Sequence, residues 1–229
     1  MRNIDKFYDK KVVKKPWGYE YVVYRKGKDL SVTLLKINYK KKTSLHCHPN
    51  KKSGFILISG KAEFQLGLWK KRSEVHSSPS KRMIARGLFH QIKSISKDGL
   101  LALEFETPSD KKDLVRFKDS YGRQDKPYEG KKHTKNIGSN FIKFKKPKIG
   151  LKQNFIIGKT KLFIETHKNF KSILKNKQNT IFAILNGSIV DKNKRKVISH
   201  GDIIKTNDLK TLAKVFKIHK NLSVLKVIK

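Results

Sequence analysis

The sequence predicts an all-β protein made of two small antiparallel β-barrels or jelly rolls. Short segments rich in Val, Ile, Leu, Phe and Tyr recur at intervals of about ten residues, with Lys, Gly, Asn, Asp and Ser between them. Before residue 109, no apolar pattern with the helical period of about 3.6 residues is sustained over a helical length. A second set of similar segments follows a polar stretch, so the chain divides into two β-rich halves.

The first half supplies the strands of one barrel. The candidate strands are residues 19–26, 30–39, 54–67, 81–87, 90–96 and 99–108. Their spacing is typical of an antiparallel sandwich or barrel. From 109 to 150 the sequence turns polar, and the run from Ser120 to Asn140 contains three glycines and a proline, which indicates a turn-rich connection.

The second half repeats the β pattern. Its candidate strands are residues 154–167, 179–191, 196–206, 210–219 and 222–229. The segment 180–189 resembles 54–62, since each contains an apolar strand that ends in an Asn-Gly or Ser-Gly turn. We therefore predict a domain over 1–130, a linker over 131–150 and a second, related domain over 151–229.

Composition narrows the classes of function. The net charge of +37 would suit a polyanion partner, but the basic residues are mostly lysines scattered along the chain, and no helix-turn-helix, zinc-finger or RNA-recognition pattern is present. Specific nucleic-acid binding is therefore not expected. No apolar run approaches the roughly 20 residues of a membrane span. The single cysteine, Cys47, suits a reducing compartment, so we expect a cytoplasmic protein. Its positive surface would attract anionic substrates.

A histidine pair is the first sign of chemistry. His46 and His48 are one residue apart, so an extended chain places both imidazoles on the same side, as a metal ligand pair needs. The same alternation points Cys47 the opposite way. The pair runs directly into the candidate strand at 54–67.

These residues belong to a pattern that resembles the two-part signature of the cupin superfamily. In the first part, His46 and His48 are followed at the family's spacing by Ser53, where cupins have glutamate, and by Gly60. In the second part, Ala85 replaces the usual proline, and Gly87 and His90 match. The resemblance implies a bicupin in which His46, His48 and His90 bind a divalent metal.

Two further motifs resemble the cupin domain of type II mannose-6-phosphate isomerases. The opening Lys15-Pro16-Trp17-Gly18 matches the start of that domain, and the run from Asp113 to Arg123 matches its end. The resemblance covers residues 12–123. It implies an isomerase or epimerase of phosphorylated or nucleotide-linked sugars in carbohydrate or surface-polysaccharide metabolism. The glycine-rich nucleotide loop of the fused guanylyltransferases is absent, so guanylyl transfer is not expected.

The second half resembles only the general cupin pattern. The positions where metal ligands would fall are occupied by Ile173, Lys175, Thr180 and Thr211. We therefore expect a degenerate, metal-free cupin, which either caps the first barrel or forms a homodimer interface.

The metal of the first half is left open between zinc, iron, nickel and manganese. Three imidazoles suit all four. With Ser53 in place of glutamate, the site lacks a hard oxygen ligand, which favours metals that prefer imidazole. A barrel that keeps its histidines as a metal-free polar lining is the alternative.

Isomerase chemistry also needs a base and a clamp for negative charge. By this resemblance we predict Arg123 and Lys15 as the groups that neutralise phosphate or enediolate. Glu104 and Glu106 alternate in phase on one strand and share a face, and Glu106 is the predicted base. Two other functions stay open: a non-catalytic sugar-binding or regulatory bicupin, and a three-histidine iron dioxygenase.

Overall fold

The computed structural model describes residues 8–69, 73–123 and 131–229. The chain divides into two compact units, Met1–Lys143 and Phe144–Lys229, and this boundary falls inside the predicted linker at 131–150. The early part of that segment contributes a strand to the first unit.

The first unit is built from antiparallel strands, which confirms the all-β class. A short 3₁₀ helix spans Lys131–His133. The strands are β1 (Lys11–Lys15), β2 (Gly18–Lys26), β3 (Leu30–Ile37), β4 (Leu45–Cys47), β5 (Lys52–Ser59), β6 (Lys61–Leu66), β7 (Ser73–Ser77), β8 (Ser80–Ile84), β9 (His90–Ser94), β10 (Leu100–Thr107), β11 (Val115–Lys118) and β12 (Thr134–Asn136).

These strands form two sheets, as a jelly roll requires. One sheet has the order β12-β1-β2-β3-β10-β5-β8, and the other has the order β11-β4-β9-β6-β7. The core cluster draws on both, with Leu35 and Phe55 from the first sheet packed with Phe64 and Ile92 from the second. Trp17 is buried in the same cluster, so its indole helps to fill the barrel.

Gly60 marks the point where the chain crosses from one sheet to the other. It separates β5 from β6 and has a φ of +90°. A Cβ at this position would lie 2.4 Å from the carbonyl oxygen of Gly99, so only glycine fits. The predicted turn is present here, at a corner between sheets.

The second unit is also predominantly β. It comprises β13 (Gln153–Ile157), β14 (Thr160–His167), α1 (Lys171–Leu174), β15 (Ile181–Val190), β16 (Lys196–Ser199), β17 (Ile203–Lys205), α2 (Thr206–Leu212) and β18 (Lys217–Ile228). The strands form a six-stranded antiparallel sheet in the order β13-β14-β18-β15-β16, in which β17 also pairs with β15. In the described part of the chain, no helix has the length and apolar character that crossing a bilayer demands.

Gly187 lies in the segment that resembles 54–62. Its φ of +86° is close to that of Gly60, and its Cβ position lies 2.0 Å from the carbonyl oxygen of Asn221. Here the strand does not end: β15 continues through the glycine, and its register against β18 shifts on either side of Asn186. The two segments thus share a glycine-dependent bend against a neighbouring backbone.

The prediction of a strand over 210–219 is wrong for its first residues. Residues 206–212 form α2, and β18 begins only at Lys217. The Asp208 carboxylate accepts a hydrogen bond from the backbone N–H of Lys205, which fixes the start of the helix. Leu209 and Leu212 are three residues apart and therefore share the helix face that packs on the core of this unit.

Gly187→Ala should destabilise the second unit by about 2 kcal/mol or more, because the new methyl group meets a backbone oxygen and the residue keeps a positive φ. Gly158→Ala is the matched control. Gly158 also has a positive φ, but nothing lies within 4 Å of its Cβ position, so we expect a loss of about 1 kcal/mol. Equal losses in urea denaturation would contradict the close approach.

Candidate metal centre

Three histidines of the first unit converge on one point between the sheets. His46 on β4 lies directly opposite His90 on β9, and directly paired residues project to the same face. His48 follows β4 by one residue and joins the same cluster. The ring centroid of His46 lies 4.4 Å from that of His90 and 5.0 Å from that of His48.

Backbone carbonyl groups fix the tautomer of each imidazole. The Nδ1 atom of His46 lies 2.8 Å from the Ser44 oxygen, that of His48 lies 2.6 Å from the Asp113 oxygen, and that of His90 lies 3.0 Å from the Leu88 oxygen. A carbonyl oxygen only accepts, so each Nδ1 carries the proton. Each Nε2 therefore keeps a free lone pair.

The three Nε2 atoms are available for a shared ligand. Those of His48 and His90 are buried without a hydrogen-bond partner, and the candidate ligand atoms of the three residues lie within 4.8 Å of one another. Burial lowers the pKa of all three imidazoles, to about 4 for His90, so the rings are neutral at pH 7. This is a geometry that fits a divalent metal.

Ser53 occupies the position where the resemblance places glutamate. Its hydroxyl is buried and has no hydrogen-bond partner within the described residues. Directly opposite on β10 lies Glu106, so both side chains project to the same face. A carboxylate is therefore present beside Ser53, but it comes from the neighbouring strand.

Two lysines hold the Glu106 carboxylate. Lys51 Nζ lies 2.5 Å from one of its oxygens, and Lys111 Nζ lies 2.7 Å from the other. All three side chains are buried. Burial would raise the pKa of Glu106, but the ammonium groups of Lys111 and Lys51 outweigh it and hold the pKa well below its usual range. Glu106 is thus ionised and committed to this network.

Asp113 positions the loop that carries Lys51. Its carboxylate accepts hydrogen bonds from the backbone N–H groups of Asn50 and Lys51. Its backbone carbonyl oxygen accepts a hydrogen bond from Nδ1 of His48. One residue thereby orients a histidine of the cluster and the ammonium group beside it. The segment between β10 and β11 is therefore part of the site.

Glu104 is the carboxyl group that faces the cavity without a fixed partner. Among the described residues it has no hydrogen bond or ion pair, and it lines the same cavity as His46 and His48. Burial, followed by the negative charge of Glu106, raises the pKa of Glu104 to about 7. It can therefore both give and take a proton near neutral pH.

The structure brings the other predicted site residues to the same cavity. Lys15 lies 3.5 Å from the carboxylate of Glu20, and Arg123 forms a 2.8 Å ion pair with Asp119. The guanidinium of Arg123 also lies over the ring of Tyr121. Both cations line the cavity, and both have acidic partners.

The cavity is narrow, with a volume of about 80 Å³, and opens on one side. Its walls carry more cations than carboxylates. The charged lining residues are Lys15, Lys51, Lys111, Arg116, Arg123, Glu20, Glu104 and Glu106.

Lys51 and Lys111 were missed at the sequence level. In a chain with 55 basic residues, nothing in the local pattern distinguishes them from surface lysines. The one usable signal was the in-phase pair of Glu104 and Glu106, because a buried carboxylate pair needs cations nearby.

Comparisons with known proteins give only distant structural matches. No family model matches the chain, and no curated protein matches it. Solved structures do match. KdgF from Halomonas sp. is 17% identical over 42% of this chain and 84% of its own, with a TM-score of 0.37. The Cnp3 cupin domain of Schizosaccharomyces pombe is 11% identical over 40% and 64%, also at 0.37.

A third match is the capsular polysaccharide assembling protein CapF from Staphylococcus aureus. It is 13% identical over 47% of this chain and 34% of its own, with a TM-score of 0.42. At such identities and scores the function of this protein has to be argued from its own site.

Glu104→Gln should make the first unit more stable at pH 8 than the wild type, by about 1 to 3 kcal/mol. The folded pKa of about 7 is raised above the ordinary value of 4.5. Between these values the unfolded chain ionises and the folded chain does not, so the wild type loses stability relative to the variant as the pH rises. Urea denaturation at pH 4 and pH 8 measures the difference, and a pH-independent gap would contradict the raised pKa.

Proposed function

We propose that the first unit is a metal-dependent isomerase or epimerase that acts on a phosphorylated or nucleotide-linked sugar. The observation that carries this proposal is a cluster of three histidines with unprotonated Nε2 atoms, two of which, His46 and His48, line one cavity together with the unpaired carboxyl of Glu104. Metal ligands and a proton-transfer group are the two parts that the reaction class requires.

The histidines fit a divalent metal, which would be held by His46, His48 and His90. When bound, it would polarise the carbonyl and hydroxyl oxygens of the sugar. Zinc, iron, nickel and manganese all accept imidazole ligands. Backbone carbonyl groups keep the three rings oriented, as outer hydrogen bonds do in established metal sites.

Proton transfer is assigned to Glu104. Interconversion of an aldose and a ketose moves a proton between neighbouring carbons, so the same group has to accept and return it. Glu106, the predicted base, is a poorer choice because two ammonium groups stabilise its ionised form. Its role in this proposal is to hold Lys51 and Lys111 in the cavity wall.

The cations of the cavity suit an anionic substrate. Lys15, Arg116 and Arg123 line it together with Lys51 and Lys111, and carboxylates balance only part of this charge. Arginine presents a planar fork that matches phosphate oxygens. The small volume next to the histidines admits the reacting end of a sugar, while its phosphate group would remain towards the arginines.

A three-histidine iron dioxygenase is the second candidate. It is favoured by the composition of the cluster, in which the described residues include three histidines and no carboxylate. Oxygen uptake with a thiol or diketone substrate, in place of hydrogen exchange on a sugar phosphate, would select it.

The metal content of the purified protein tests the ligand set. We expect about one equivalent of a divalent metal in the wild type and a loss of at least about tenfold in affinity in His46→Ala and in His90→Ala, because each removes one of three ligands. His219→Ala is the control, since that exposed histidine lies in the second unit. Wild-type protein that stays metal-free after growth in metal-supplemented medium and dialysis against the metal would contradict the proposed metal dependence.

Solvent hydrogen exchange tests the reaction. In deuterated water the wild type should introduce deuterium at C2 of a hexose 6-phosphate, detected by NMR, and Glu104→Gln should slow this by about 10²- to 10⁴-fold while keeping its metal. Glu63→Gln, which alters a carboxylate on β6 outside the cavity lining, is the control. The wild-type rate should fall below pH 7, where Glu104 becomes protonated. Equal rates in Glu104→Gln and wild type would remove Glu104 from the mechanism.

A further inference from the structure

The second unit has a cavity of its own, which neither the metal centre nor the proposed isomerase reaction uses. It is open on one side and has a volume of about 390 Å³, within the range of small-molecule sites. The polar residues in its lining include Lys152, Glu165, His167, Ser172, Lys175 and Lys226.

The cavity lies on the face of the sheet that packs against the core of this unit. Strand pairing places Glu165 opposite Val224 and His167 opposite Leu222, and directly paired residues share a face. Val224 and Leu222 both belong to the buried core cluster. At the end of β14, the face of the sheet that carries the core therefore changes from apolar to polar residues. A face that served only to fill the core would continue with apolar residues.

The floor of this cavity is a preorganised polar network. The Glu165 carboxylate receives a hydrogen bond of 2.8 Å from Lys226, whose ammonium also lies over the ring of Phe163. On the other side, Glu165 lies 3.3 Å from Nε2 of His167. The side chains of Glu165 and His167 are only 9% and 10% exposed.

His167 links the floor to a hydroxyl at the rim. Its Nδ1 lies 2.7 Å from Oγ of Ser172 on α1. Burial lowers the pKa of His167, and the charges of Lys226 and Lys152 lower it further in spite of Glu165. The imidazole is therefore neutral at pH 7 and accepts a hydrogen bond from the Ser172 hydroxyl at Nδ1, while its buried Nε2 has no hydrogen-bond partner among the described residues.

The rim carries unbalanced positive charge. Lys152 and Lys175 are exposed, and the ammonium group of neither forms a hydrogen bond or ion pair with another described residue. With Lys226, three ammonium groups surround a single carboxylate. This balance disfavours a metal cation, and the polar floor disfavours an apolar ligand.

We propose that this cavity binds a small phosphorylated, hydroxyl-bearing molecule independently of the metal centre. Lys152 and Lys175 contact its phosphate group, as paired ammonium groups do. Glu165 on the floor and the oxygen of Ser172 at the rim accept hydrogen bonds from its hydroxyl groups. The second unit is therefore a ligand-binding unit. Its lysines bind the ligand directly, whereas the histidines of the first unit would bind a metal.

The test follows the imidazole signal of His167 by NMR in the full-length protein, with the signal assigned from its loss in His167→Gln. Glucose 6-phosphate, inorganic phosphate and glucose are titrated separately. We expect a saturable shift with glucose 6-phosphate, binding about tenfold weaker for inorganic phosphate, and no shift with glucose. Equal affinity for glucose 6-phosphate and phosphate, or no saturable shift, would overturn the proposal.

Charge reversal separates a built site from general attraction to a basic protein. The double variant Lys152→Glu, Lys175→Glu should weaken binding of glucose 6-phosphate at His167 by about tenfold or more. Lys192→Glu, Lys196→Glu is the matched control, because it makes the same change in net charge at exposed positions outside the cavity. Equal weakening by both pairs would show non-specific attraction and would overturn the site. Thermal unfolding confirms that each variant is folded, and Lys152→Gln, Lys175→Gln repeats the test without introducing new negative charge.

Discussion

Three hydrogen bonds from imidazole to backbone carbonyl groups determine what the first unit can do. Each consumes the proton on Nδ1 and leaves the Nε2 lone pair of His46, His48 or His90 pointing into a shared space. Without these acceptors the rings could reorient or change tautomer, and the lone pairs would no longer converge. The carbonyl groups come from the chain just before β4, the segment after β10 and the turn before β9, so the jelly roll itself orients the cluster.

The buried charges beside the cluster have a structural and a chemical consequence. A carboxylate such as Glu106 is costly to bury unless it is paired and hydrogen-bonded, and Lys51 and Lys111 satisfy both conditions. Glu104 has no such pairing among the described residues, and burial together with repulsion from Glu106 raises its pKa to about 7. Two glutamates on one strand are thereby given different protonation behaviour by their surroundings, which is how a single fold obtains distinct acid and base groups.

Much of this could be predicted from the sequence, because the relevant signals are local. The alternation of His46 and His48 placed them on one side of the chain, whereas His90 was assigned through the resemblance of Gly87 and His90 to the second part of the cupin signature. The position of Gly60 at a turn also followed from a short pattern. The all-β class followed from the length and spacing of the apolar segments.

The remainder depended on contacts that no local pattern encodes. Asp113 holds the loop at Lys51 from 62 residues away, and Lys111 reaches Glu106 from a connecting segment. Residues 210–212 were taken for strand because Leu212 is in phase with Phe216 and Ile218 at even spacing, and only the packing of Leu209 and Leu212 on a core selects the helix. Tertiary contacts therefore determined which carboxylate is free and which is bound.

X-ray absorption at the metal edge tests the central claim most directly, because it reports the ligands of a bound ion without reference to any substrate. For the zinc-loaded protein the account predicts about three imidazole nitrogens at about 2.0 to 2.1 Å, with water completing the shell and one imidazole fewer in His90→Ala. A first shell of oxygen atoms without imidazole scattering, or the same spectrum in His90→Ala as in the wild type, would contradict it.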